Sequence, residues 1–69
     1  MMNTVDLVVN NLVEKYEYTH FEDEGAVIAE IGKILLDSFG KIQARFIANE
    51  EGFLGETLDA FYNAIGKGV

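Results

Sequence analysis

The chain of 69 residues has no cysteine, no proline and no tryptophan, with a single histidine, His20, and a single serine, Ser38. Without cysteine there is no disulfide framework, no thiolate metal site and no cysteine nucleophile. One histidine alone cannot supply the several nitrogen or sulfur ligands of a zinc centre. Basic residues are scarce as well. Five Lys and Arg stand against twelve Asp and Glu, giving a net charge of −7 and a pI near 4.3. Phosphate contacts need clustered Lys and Arg, so that balance speaks against direct nucleic-acid binding. No basic residue precedes Lys15, so the basic n-region of a secretory signal is missing. No apolar run approaches the roughly 20 residues of a membrane-spanning helix. The expectation is a cytoplasmic protein with no membrane partner.

What is present is enough apolar material to fold. Apolar residues make up 49% of the chain and the mean hydropathy is +0.11, which excludes an intrinsically disordered tail. The length allows one domain, residues 1–69, with a thin core. Val5, Val8, Val9, Leu12, Val13 and Tyr16 fall at the offsets of one helical face, and Asn3 or Thr4 can cap its start. A polar connector follows, with three successive acids at Glu22, Asp23 and Glu24, and Asp23 suits the N-cap of a second helix. Val27, Ile28, Ile31, Ile34, Leu35 and Phe39 repeat the helical stripe, ended by Gly40 as a left-handed cap. Gly32 interrupts this helix at a cost of roughly 1 kcal/mol relative to alanine, and a close crossing with another helix is its expected justification.

Residues 41–49 read both ways. Ile42, Ala44 and Phe46 alternate with Lys41, Gln43 and Arg45 like a strand, whereas the Lys, Gln, Ala and Arg content favours helix. Asn49 to Gly52 signals a turn, and residues 56–65 form a last helix with Leu58, Phe61, Tyr62 and Ile65 on one face. Gly66 ends it, and residues 67–69 are expected to fray. The fold class is therefore mainly α: a small single-domain bundle of three to four short helices. A short two-stranded β pair between residues 16–21 and 41–48, making the fold α+β, is the alternative. The expected core is Val8, Leu12, Ile28, Ile31, Leu35, Phe46, Leu58, Phe61 and Ile65. Eight aromatics and many aliphatics exceed what so thin a core encloses, which points to a homodimer.

The chemistry of known sites is not spelled out in the sequence. Ser38 lacks a nucleophile-elbow context. Asp37-Ser38-Phe39 resembles the Asp-Ser-Leu motif of acyl carrier proteins, but that motif opens a helix, and here the residues continue the stripe begun at Val27. An EF-hand register through Gly25 puts His20 first and Ile31 twelfth, where the loop needs carboxylates. The glycines form neither G-x-G-x-x-G nor a P-loop. The chain is read as a non-enzyme with no cofactor, no metal and no catalytic residue.

The charge is uneven. Residues 1–30 hold seven acids and one base, so nearly the whole excess lies there. Such a field attracts cationic partners and speeds their encounter. The function expected on this ground is a small acidic protein-binding module whose partner is a basic nucleic-acid-binding protein. In size and composition it resembles the DNA-mimic inhibitors of phages and mobile elements, which implies occupation of the partner's nucleic-acid groove. Glu14, Glu17, Tyr18, Phe21, Glu22, Asp23 and Glu24 are the expected partner-binding residues. The first alternative is a helix-turn-helix DNA-binding regulator, with residues 26–39 and 41–49 as its two helices and Lys33, Lys41, Gln43, Arg45 and Asn49 as its contacts. The second is a structural subunit or obligate dimer of a larger assembly.

Overall fold

The computed structural model describes residues 3–66, and the expected fraying of 67–69 lies outside them. Four helices follow in order: α1 over Thr4–Tyr18, α2 over Glu24–Phe39, α3 over Lys41–Ala48 and α4 over Phe53–Ala64. Among the described residues there is no strand. None of the helices is long and apolar enough to cross a membrane.

The starts of α1 and α2 and the junction of α2 with α3 each have a local cause. The Asn3 side chain accepts a hydrogen bond from the Asp6 backbone N–H at 2.8 Å, and Asp23 does the same for Ala26 at 2.8 Å. These caps satisfy backbone donors that have no partner within the helix. Asp6 and Glu24 also place negative charge at the positive end of their helix dipoles. At the junction of α2 and α3, Gly40 adopts φ 86° and ψ 167°, a conformation closed to side chains with a Cβ, and its N–H returns to the Leu36 carbonyl. One residue thus ends one helix and starts the next.

The core joins three helices. Val8 and Leu12 from α1, Val27, Ile31, Ile34 and Leu35 from α2, and Phe53 and Phe61 from α4 form one buried cluster. α1 packs on α2 and α4, and α3 rests on α2 and α4, while α1 and α3 do not touch among the described residues. Val8, Leu12, Ile31, Leu35 and Phe61 are core residues as the periodicity predicts, with Leu58 and Ile65 packed at the edge. Thr57 is fully buried beside them, and its hydroxyl makes no hydrogen bond.

Three expectations are corrected, and the α+β alternative falls. The β pair does not form: residues 16–18 extend α1, because Tyr16 lies one turn beyond Leu12 and its ring meets Phe61. In α3, the strand-like alternation is divided by the helix, with Ala44, Ile47 and Ala48 turned inward and Ile42 and Phe46 turned out. Phe46, at 68% exposure, and Ile28, at 39%, are therefore not core residues. Gly32 is not explained by a close crossing inside the chain, since a Cβ added there meets nothing within 4 Å. The last helix starts at Phe53, three residues before the predicted boundary, because Phe53, Thr57 and Phe61 stack at four-residue spacing on its buried face.

Candidate functional site

The acidic half of the chain resolves into two surfaces. On α1, Asp6, Glu14 and Glu17 follow one another at helical offsets that place them on the face opposite Val8 and Leu12. Glu14 and Tyr18 border the cleft between α1 and α2, which also takes Lys15, Lys33, Glu30 and Asp37. Both signs of charge line this cleft, so it is no unbroken acidic track.

The second surface lies where the connector between α1 and α2 passes over the start of α2. Tyr16, the connector residue Phe21, and Phe61 and Tyr62 from α4 contribute aromatic walls to a concavity of about 170 Å³. Glu22, Asp23 and Glu24 form its acidic rim, and Val27 and Ile65 complete the lining. The rings hold one another in place. Tyr16 meets Phe61 edge-on at a centroid distance of 5.8 Å, Phe21 meets Phe61 at 5.8 Å, and Tyr62 lies 5.4 Å from Phe61. His20 stacks edge-on against Tyr16 at 4.5 Å and stays exposed. Such edge-to-face pairs add about 0.5–1.5 kcal/mol each beyond area burial, which ties the connector to α1 and α4.

Of the seven residues singled out from sequence, the structure gathers Phe21, Glu22, Asp23 and Glu24 at the notch. Glu14 and Tyr18 stand apart at the α1–α2 cleft, and Glu17 lines neither. The residues missed are Tyr16, Phe61 and Tyr62 as walls of the notch. Tyr16 and Phe61 lie far apart in sequence, and only the packing of α1 on α4 brings them together.

The residues of the alternative DNA-binding reading are also placed. Lys33, Lys41, Gln43, Arg45 and Asn49 are exposed. The turn between α2 and α3 is the single residue Gly40, against the three to four residues of a helix-turn-helix. The outward face of α3 presents Ile42 and Phe46 beside Arg45, an apolar pair where base-reading helices carry polar side chains. Among the described residues no three His, Asp or Glu side chains converge to hold a metal ion.

Comparison with known protein families, with curated proteins and with solved structures finds no match to this chain.

Proposed function

We propose that the chain is an acidic protein-binding module that takes a Lys- or Arg-bearing segment of a basic, nucleic-acid-handling partner at the notch and so competes with nucleic acid for that partner. The observation that supports this reading is the union of aromatic walls and three consecutive carboxylates around one concavity. Its volume is close to that of the roughly 150 Å³ apolar cavity known to accept benzene, so it suits one side chain. A cation over an aromatic face gains about 0.5–1 kcal/mol at an exposed site and about 2 when desolvated. The exposed carboxylates add about 0–1 kcal/mol each and chiefly raise the encounter rate.

The form of competition follows from charge density. Asp6, Glu14 and Glu17 spread three charges over roughly 16 Å of helix axis, where duplex DNA carries about ten. The ridge on α1 is too sparse to copy a phosphate track. The connector is where carboxylates are dense, so competition is point-like: one basic side chain is captured, and the remaining acids steer.

The test is a binding titration of the whole chain with a lysine-rich synthetic peptide, followed by displacement of duplex DNA from a basic DNA-binding protein. The variant Glu22→Lys with Glu24→Lys keeps the Asp23 cap, and circular dichroism checks that α2 survives the loss of Glu24 from the positive end of its dipole. Loss of peptide binding by at least tenfold with an unchanged circular dichroism spectrum is expected. Equal affinity of variant and wild type ends the proposal, as does retention of duplex DNA by the wild-type chain alone, which favours the DNA-binding alternative.

A further inference from the structure

The exposed large apolar side chains are concentrated in one part of the molecule. Apart from Tyr18, they are Ile28, Leu36, Phe39, Ile42 and Phe46, all on the hairpin of α2 and α3. Helix α2 explains why. Its core sector holds Val27, Ile31, Ile34 and Leu35, and the adjoining sector holds Ile28, Gly32, Leu36 and Phe39. Past the first turn, charge is confined to the remaining third or so of the circumference, at Glu30, Lys33 and Asp37. A helix apolar over so much of its surface is normally covered on both sides. Here one side is open.

We infer that the open side of the α2–α3 hairpin is the interface of a two-fold homodimer, in which the α2 helices of two copies cross at Gly32. Three observations select a second copy as the occupant. The first is area. The five side chains leave on the order of 500 Å² exposed, at the upper end for a monomer and more than half of the roughly 800 Å² that each partner contributes to a standard interface. The second is charge. A chain of net −7 approaches its own copy most readily where its acids are balanced by bases. The hairpin, residues 24–48, carries Lys33, Lys41 and Arg45 against Glu24, Glu30 and Asp37, a net of 0, so the whole excess of −7 lies on the rest of the chain. Helix α3 does not touch α1, so this half of the hairpin is set apart from the acidic ridge.

The third observation is symmetry. Gly32 lies at the middle of α2, Ile28 precedes it by one turn and Leu36 follows by one turn. An antiparallel crossing centred on Gly32 therefore sets Ile28 of each copy against Leu36 of the other, a self-matching arrangement that an isologous interface requires. The open space over Gly32 is the room in which a second backbone approaches closely.

Sedimentation equilibrium of the whole chain across a micromolar concentration series tests this. The expected result is a mass rising from 7.7 kDa to a plateau at twice that value. Ile42→Glu with Phe46→Glu is expected to weaken association by at least about 30-fold. Gly32→Leu, whose Cβ meets nothing within 4 Å in its own chain, is expected to weaken it too, with helicity unchanged in both variants. A monomer at all concentrations overturns the inference. So does a dimer indifferent to these variants, which locates the interface elsewhere. Growth past the dimer that is suppressed by salt also overturns it, since it indicates head-to-tail docking of an acidic face on Lys41 and Arg45 of α3. None of these outcomes alters the peptide titration, so the notch and the interface stand or fall separately.

Discussion

Phe61 and Phe46 are the same side chain in two settings. Phe61 is enclosed by the rings of Tyr16, Phe21 and Tyr62 at the meeting of α1, the connector and α4. Phe46 stands on α3, an element without a single buried residue. The three-helix core and the α2–α3 hairpin thus divide the apolar material between them: the core uses it to fold, and the hairpin leaves it facing outward. Helix α2 belongs to both regions, with a covered sector and an open one side by side. Apolar content alone therefore does not measure the size of a core, because a chain of this length can devote a large share of it to a surface.

The largest effect that separates the two regions comes from removing each ring. A domain of this size is stable by about 3–10 kcal/mol. Phe61→Ala is expected to cost about 3–5 kcal/mol, enough to leave much of the population unfolded. Phe46→Ala is expected to stay within about 0.5 kcal/mol at concentrations where the chain is monomeric. Urea denaturation of both variants checks this, and equal losses would erase the distinction between core and hairpin.

The glycines sharpen the comparison at the backbone. Gly40→Ala forces a Cβ into φ 86° and should cost about 1–3 kcal/mol in thermal unfolding. Gly32→Ala, with open space around it, should instead gain about 1 kcal/mol, which raises the midpoint by about 4–8 °C. Opposite signs at two glycines eight positions apart on one helical run would show that Gly40 serves the fold and Gly32 does not. A loss at Gly32 in a dilute sample would contradict that assignment.

The smallest expected effect lies inside the core. Thr57→Val removes a buried hydroxyl that has no partner, and a gain of up to about 1 kcal/mol in urea denaturation is expected. A loss instead would mean that the hydroxyl is satisfied in solution.

Much of the fold is legible in the sequence because its determinants are local. Asn3, Asp23 and Gly40 are chemically specific punctuation, and the stripes of α1 and α2 follow from spacing alone. Ile28 and Phe46 fail for a definite reason. Periodicity reports that a residue lies on an apolar face, and both helices have two of them, α2 in adjoining sectors and α3 with Ile42 and Phe46 on one side and Ala44, Ile47 and Ala48 on the other, so spacing cannot say which is inside. Phe53 is hidden by the turn signal of Gly52 immediately before it, and Thr57 breaks the apolar pattern in the middle of a buried stripe. At the candidate site, Phe21 to Glu24 are legible because they are consecutive. Tyr16, Phe61 and Tyr62 are not, because their convergence depends on how two distant helices pack.

The build of α3 has a dynamic consequence. Its eight residues are fewer than the roughly 12–15 that sustain an isolated helix, and its start has no side-chain cap and places Lys41 at the positive end of the dipole. With only the partly buried Ala44, Ile47 and Ala48 to anchor it, α3 is expected to expose its backbone amides by local opening at a fraction of the free energy needed for those of α1 and α2. Covering its outer face with a second chain lowers that opening frequency by mass action. In the dimer proposed above, the order of α3 would be set by how much of the protein is present, and the hairpin would become a concentration-dependent element within an otherwise cooperative fold.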